Sequence, residues 1–487
     1  MLLPESQLYI DGVLRPAKGG KTYDNIGPWT GEVIGLAADA SAEDVEEAIA
    51  AARRAFDDTD WSNQHRYRYE LMKKYRDVLV ANRDRLVQIA RLEAGAAPGA
   101  AFRAHIDGAL NGADGVLECF ANVKWEEDRG VRKEMGFETK RLVTHEAVGV
   151  VGAITPWNVP LYVNIGKVIP ALLAGCTVVL KPAPDTPAMA AIMGELAVEA
   201  GLPPGVLNIV TGSDPAMAGE MLTRDPRVDV ISFTGSTGVG KKIMENGAAT
   251  LKRVFLELGG KSAFIVLDDA PNFAQTVMGS MVIFHAGQGC AYPTRLLVPK
   301  ERYEEAVKAL EMAYAGYASK WGNFDEPTCI MGPLISKRQL ERVKGYVEIG
   351  KAEGARLLAG GNVRTDKGTG FFIEPTCFVD VRNDMRIAQE EIFGPVLVVI
   401  PFDDDEDAVR IANDSIYGLG GAVFGSEERA TKIAKRIRAG TISVNGGMSI
   451  TGDLPFGGYK QSGMGREWGL EGIEEFLEVK AIGTRLL

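Results

Sequence analysis

Val148-Gly149-Val150-Val151-Gly152-Ala153-Ile154-Thr155-Pro156-Trp157-Asn158 is a short apolar run, rich in β-branched residues, that stops abruptly at a proline and a polar turn. It is too short for a buried helix and has no polar face, so it reads as a strand covered on both sides. Similar runs recur at 177–180, 206–210, 228–233 and 253–258, and helical patterns fill the intervals at about 161–174, 187–200, 214–223 and 237–248. Apolar strands alternating with helices imply a parallel, doubly wound α/β sheet.

The same texture returns after Gly260. Strands are expected at 263–267, 294–298, 396–401, 421–424 and 441–444, and helices at about 302–317, 336–354, 404–413 and 427–438, which makes a second α/β unit. Upstream, Ser41 with Asp44 three residues on opens a helix carrying Val45, Ile49, Ala52 and Phe56 at helical spacing. Further helical patterns run through about 66–92 and 100–122. The polar segment 126–144 interrupts the first unit as an excursion or a solvated hairpin, and the tail 473–487 holds a strand-like run.

A chain of 487 residues exceeds one ordinary core. The net charge of −11 is spread without a basic block, so nucleic acid is not an expected partner. The start of the chain lacks the pattern of a secretory signal. The longest apolar stretch, 168–180, is interrupted by Pro170 and Gly175 and falls short of the roughly 18–20 residues that span a bilayer. A cytoplasmic protein with no membrane partner is expected. Cysteines 119, 176, 290, 329 and 377 are odd in number and never spaced Cys-x-x-Cys, which fits a reducing compartment. The four histidines are far apart in sequence, and no metal site is expected.

One cysteine sits where regular structure cannot continue, in Gly287-Gln288-Gly289-Cys290-Ala291-Tyr292-Pro293. Glycines that let backbone approach a ligand and a nearby proline suit a nucleophile, while an isolated cysteine is as readily a small buried hydrophobe. Leu256-Glu257-Leu258-Gly259-Gly260-Lys261 ends a strand with one carboxylate before two glycines. Desolvation there would make Glu257 a general base, and an ion pair with Lys261 would make it merely structural. Asn158, at the carboxyl end of the first strand, either donates its amide to an oxyanion or serves the turn between two prolines. Lys167 and Lys181 lie beside apolar elements and read as functional charges or as snorkelling surface lysines.

Phe233-Thr234-Gly235-Ser236-Thr237-Gly238-Val239-Gly240-Lys241-Lys242 leads a strand into a helix whose first N–H groups form an anion site. Two readings stay open. A dinucleotide pyrophosphate fits, although the spacing departs from Gly-x-Gly-x-x-Gly; a P-loop of a nucleotide hydrolase fits too, except that Lys242 stands where Ser or Thr would hold magnesium.

Together, Pro156-Trp157-Asn158, Lys181-Pro182-Ala183, Phe233-Thr234-Gly235-Ser236-Thr237, Leu256-Glu257-Leu258-Gly259-Gly260-Lys261, Gly287-Gln288-x-Cys290, Glu390-Glu391-Ile392-Phe393-Gly394-Pro395 and Pro455-Phe456-Gly457-Gly458 resemble the aldehyde dehydrogenase superfamily, in family order from about residue 8 onward. The resemblance implies two doubly wound α/β domains and a small β oligomerisation element. The cofactor-binding domain would comprise 1–124 and 148–259, the catalytic domain 260–462, and the oligomerisation element 125–147 with 463–487, in a homodimer or homotetramer. It implies NAD-dependent oxidation of a small-molecule aldehyde to a carboxylic acid, and the departure at Pro184 adds the expectation that NADP is tolerated. Cys290 would form a thiohemiacetal and then a thioester, Asn158 would hold the oxyanion, Glu257 would activate water, and Lys167 and Glu467 would relay protons. Trp157, Lys181, Gly212, Gly235, Ser236 and Gly240 would surround the adenosine and pyrophosphate, Leu258, Glu391 and Phe393 the nicotinamide riboside, and Thr155, Pro156 and Pro184 would also belong to the cofactor site. Retention of Glu257 implies hydrolysis of the thioester rather than transfer to coenzyme A.

The pattern departs from the family in three places. Pro184 stands where many NAD-preferring members carry a glutamate for the adenine ribose. Gly289 and Tyr292 flank the nucleophile where a larger and a smaller residue are usual. Gly166 replaces a bulky aromatic and implies a wide substrate tunnel. A catalytically silent or ligand-binding protein on the same fold is the alternative.

Overall fold

The computed structural model describes residues 2–486, the side chains of 102–104 excepted. Its first sheet has eight strands in the order Gly463–Met464, Arg253–Glu257, Val230–Thr234, Val150–Ile154, Thr177–Lys181, Leu207–Ile209, Leu8–Ile10 and Val13–Arg15. The five from Arg253–Glu257 to Leu207–Ile209 are parallel. The opening run forms the central strand for a simple reason. Its side chains alternate between two apolar layers, Val150 and Ile154 entering one core and Val151 and Ala153 the other. Helices Ala42–Asp57, Met217–Arg224 and Thr237–Gly247 cover the first face, while Pro160–Ala174, Pro187–Ala200, His65–Ala81 and Gly108–Phe120 cover the second.

Local signals set the helix ends. Ser41 Oγ accepts from Asp44 N–H at 3.2 Å while Asp44 Oδ2 accepts from Ser41 N–H at 2.8 Å, closing the expected capping box. Pro187–Ala200 is capped from another helix: the buried Glu93 carboxylate accepts from the N–H groups of Ala188 at 2.5 Å and Met189 at 3.0 Å. The long pattern at 66–92 breaks at Asn82 into His65–Ala81 and Arg83–Glu93, and 101–107 is π-helical before the α-helix Gly108–Phe120.

The second sheet runs Arg356–Ala359, Thr376–Val379, Val396–Phe402, Pro293–Pro299, Ser262–Val266, Gly420–Phe424 and Thr441–Val444. All neighbours are parallel except the first pair. Pro293, expected to block a regular element, instead begins a strand, a position where its missing N–H breaks no ladder.

Segment 126–144 is a hairpin, Glu126–Glu134 against Phe137–Ala147, and Leu477–Arg485 adds a third antiparallel strand. The tail expected to join this element as one piece divides. Gly463–Met464 instead extends the first sheet beside Arg253–Glu257, and Gly469–Glu474 is a helix against the first unit. A Cβ at Gly463 would lie 1.8 Å from Leu256 O, so only glycine lets the chain pass this close.

Candidate active site

Parallel strands deliver their last residues to one edge, and the register aligns Thr234 with Glu257 and Ile154 with Lys181. The amino-terminal ends of the second sheet, at Pro293, Gly420 and Thr441, meet this edge across a cavity of about 940 Å³. Its walls include Pro156, Trp157, Asn158, Gly235, Ser236, Glu257, Leu258, Cys290, Glu391, Phe393 and Glu467. With Phe456 on the wall as well, six of the seven sequence motifs share one chamber.

Cys290 is half-buried in an irregular loop. His285, Ala286 and Gly287 precede it with φ of 48°, 51° and 69°, a left-handed stretch that costs two non-glycine residues strain. Gln288 holds the loop, its Oε1 accepting from Ile335 N–H at 2.9 Å. Burial pushes the Cys290 thiol well above its usual range, and the carboxylates of Glu257, Glu391 and Glu467 add to the rise. The thiolate therefore needs a neighbouring positive charge or a base to form.

Glu257 is buried and its pKa is raised well above the ordinary carboxyl value, first by desolvation and then by Glu467. The Cys290 thiol and Lys167 oppose the rise. Among the described residues neither carboxylate oxygen has a hydrogen-bond partner and Lys261 Nζ is likewise unpartnered, so the structural ion pair considered for Glu257 does not form. A desolvated, unpaired carboxyl beside a thiol is what a water-activating base requires.

Asn158 is also buried, and its Nδ2 donates to Gln288 O at 2.9 Å. An amide NH₂ carries two protons, so this bond fixes its plane and leaves a second donor for an oxyanion. Among the described residues the Cys290 N–H has no hydrogen-bond partner. Lys167 is fully buried, not snorkelling, and donates to Ser232 Oγ at 3.0 Å and to Glu467 Oε1, which Thr234 Oγ1 also approaches at 3.3 Å. Glu467 joins that ion pair to the cavity wall.

The remaining positions divide. Trp157 meets Phe393 edge to face, ring centres 5.4 Å apart. Glu391 Oε1 accepts from Gly260 N–H at 2.9 Å, and a Cβ at Gly259 would fall 2.4 Å from Glu391 Oε2, so the glycine pair seats this carboxylate. A Cβ at Gly240 would lie 2.8 Å from Leu258 Cδ2, which presses the Thr237–Gly247 helix onto the strand end. Thr155, Lys181, Pro184, Gly212 and Gly240 do not line the cavity itself. Lys181 is buried all the same, its pKa lowered to about 8 chiefly by desolvation, and donates to Pro182 O at 2.9 Å.

These residues fit a dinucleotide. Ser236 caps the Thr237–Gly247 helix, and nothing lies within 4 Å of a Cβ placed on Gly238, leaving its first turn open to a phosphate. A P-loop does not fit. Gly238 and Gly240 lie inside the helix, not in a cradle before it, and Lys241 Nζ donates to Gln461 Oε1 at 3.1 Å. His105 and His285, distant in sequence, do come together with ring centres 4.4 Å apart. Among the described residues, however, no group of three or more His, Cys, Asp or Glu could hold a metal ion.

The aldehyde dehydrogenase family model matches residues 15–482. The chain belongs to that family. Among solved structures it is similar to an aldehyde dehydrogenase from Mycobacterium tuberculosis complexed with NAD+, at 41% identity and a TM-score of 0.93, covering 99% of this chain and 98% of that one. It is similar as well to a cysteine-to-alanine variant of aldehyde dehydrogenase C from Pseudomonas syringae with NAD+ and octanal, at 38% identity, a TM-score of 0.91, and coverage of 98% and 96%. A third neighbour is a Staphylococcus aureus betaine aldehyde dehydrogenase mutant with NAD+ and a BME-modified cysteine, at 36% identity, a TM-score of 0.93, and coverage of 98% and 96%. The protein is thus an NAD-dependent aldehyde dehydrogenase with two α/β units and a small β element. Among the described residues no helix is long and apolar enough to cross a membrane.

The departures from family pattern acquire physical causes. A Cβ at Gly289 would lie 2.9 Å from Tyr292 Cε2, so the tyrosine ring takes the space a larger residue before Cys290 would fill. Gly166 does not widen the tunnel as expected: a Cβ there would lie 2.7 Å from Trp468 Cζ2, because the indole occupies the vacated volume. Sequence reasoning missed Trp468 because its wall position depends on a distant strand end and carries no motif.

Proposed function

We propose that this aldehyde dehydrogenase is hydrolytic, carrying the acyl group on Cys290 and releasing it to water as a carboxylic acid. The observation that carries the reading is the unpaired, desolvated Glu257 carboxyl sharing a cavity with Cys290. Cys290 gives its proton to solvent water, Sγ adds as the thiolate to the aldehyde carbon, and the carbonyl oxygen becomes an alkoxide held by the second Asn158 N–H and the Cys290 N–H. NAD+, when bound, supplies the hydride acceptor and a cationic ring. Trp157, Ser236, Leu258, Glu391 and Phe393 would hold it in the cavity, and Lys181 would reach its adenosine end.

After oxidation the acyl carbon is a thioester to Cys290. Glu257 takes a proton from water, the hydroxide adds to the acyl carbon, the C–S bond breaks, and the departing Cys290 thiolate takes the proton back from Glu257 as the acid is released. The Lys167–Glu467 pair, bonded to Ser232 and Thr234, connects the chamber to a buried polar chain that relays protons. Pro184 itself supplies no carboxylate against a 2′-phosphate, and Lys181 offsets the nearby Asp185 and Asp214, so NADP is tolerated beside NAD. The three-stranded sheet exposes Val131, Met135, Phe137, Val479 and Ile482, the surface expected for pairing with further copies of the chain. Incubation with aldehyde, NAD and ¹⁸O-labelled water, without coenzyme A, should give one NADH and one acid carrying at least one solvent oxygen per turnover. A requirement for coenzyme A would overturn the hydrolytic reading.

A further inference from the structure

Gly166 is followed in the chain by Lys167, and Trp468 is preceded by Glu467, so the ion pair and the indole–glycine contact are neighbouring parts of one joint between the Pro160–Ala174 helix and the tail. A second glycine completes the seat. A Cβ at Gly112, on the Gly108–Phe120 helix, would lie 2.7 Å from both Cη2 and Cζ3 of the same indole. Two glycines on adjacent helices thus form a slot filled by one ring.

The ring is also held from its own backbone. Trp468 adopts φ 63° and ψ 174°, a region normally left to glycine. Glu467 before it exchanges two hydrogen bonds of 2.7 Å with Phe456, Trp468 O accepts from Gly472 N–H at 2.8 Å, and Gly469 N–H donates to Gly452 O at 3.0 Å. Backbone strain kept by this many bonds is consistent with a placed wall. The indole lines the cavity beside Tyr162, ring centres 4.6 Å apart, and Phe456 adds a third ring to the wall.

We infer that Trp468, seated between Gly112 and Gly166, sets the girth of the aldehyde end of the cavity and selects unbranched or planar apolar aldehydes over branched ones. This rests on the aldehyde-oxidising reading above and deepens it. The indole occupies the volume that would otherwise extend the chamber between the two helices, so a straight chain passes along its face while a branch next to the carbonyl meets it.

The test compares octanal with its branched isomer 2-ethylhexanal by kcat/KM. Trp468→Leu should raise the branched-to-linear ratio about tenfold, the size of effect that a methylene-scale change in an apolar pocket produces. Gly166→Ala should lower the ratio, because its methyl pushes the ring into the chamber, and adding Trp468→Leu should restore it above Gly166→Ala alone. KM for NAD should not follow the ratio. If Trp468→Leu does not accumulate folded, Trp468→Phe should give the same direction with a smaller shift. Equal changes for both aldehydes, or a double variant no better than Gly166→Ala, would overturn the inference. A wild-type enzyme that oxidises no aldehyde would overturn the functional reading instead.

Discussion

Replacing Glu257 by Gln keeps the side chain's shape and removes its ability to ionise. If Glu257 serves only the second half of the reaction, thioester formation survives and hydrolysis slows. General-base assistance contributes roughly 10²–10⁴-fold. At about 1.36 kcal/mol per tenfold, the deacylation barrier should rise by about 3–5 kcal/mol. Stopped-flow NADH fluorescence should then show a burst of about one NADH per site, followed by a steady state slowed by that factor. The wild-type steady state should climb with pH through the raised Glu257 pKa, since the base form is the active one, and the variant should lose this climb. Stability supplies an independent check. A carboxyl whose folded-state pKa is raised contributes most below its unfolded value, and that contribution is lost as pH rises toward the folded value. The Gln variant escapes this loss, so its Tm relative to wild type should increase between pH 5 and pH 8. A steady state within threefold of wild type, absence of the burst, or a Tm difference indifferent to pH would refute the reasoning.

Cys290→Ala should abolish aldehyde oxidation while NAD binding, followed by fluorescence titration, persists. Asn158→Ala should lower the rate of the burst itself by about 10²–10³-fold, as loss of an oxyanion donor does, rather than the steps after it. Lys167→Met leaves Glu467 facing the Thr234 hydroxyl without its lysine, and breaking such a buried pair should cost about 3–5 kcal/mol in denaturant unfolding, with Lys167→Met/Glu467→Gln losing less than the sum of the two. Pro184→Glu should lower kcat/KM for NADP at least about tenfold relative to NAD through charge repulsion.

The alternation of apolar runs with helical patterns was enough to place the central strands, because burial on both faces leaves a period-free apolar signature that few other elements share. The shortest strands were less legible. Arg356–Ala359 at one edge and its neighbour Thr376–Val379, like the amino-terminal strands Leu8–Ile10 and Val13–Arg15, are too brief to show a period, and their partners are set by tertiary contact. At the site, the irregular Cys290 loop and the strand ends at Glu257 and Asn158 were visible in the sequence, but each pattern alone left a structural role open, and their roles came from the family motifs taken together. The exchange of bulk between Gly166 and Trp468 could not be read at all. Sequence shows that a side chain is missing at one position, but only the fold shows which distant ring replaces it.

The first sheet begins with Leu8–Ile10 and is finished by Gly463–Met464, which pairs with the strand carrying Glu257. During synthesis, then, the nucleophile loop is made long before the last strand that braces its base. Until residues beyond 464 are available, the chamber lacks Glu467 and Trp468, and Cys290 lies in an unfinished pocket open to oxidants. Contacts of such sequence separation make folding slow. Nascent chains should therefore be most vulnerable to thiol damage late in translation, and aldehyde-oxidising activity should appear all at once, not domain by domain.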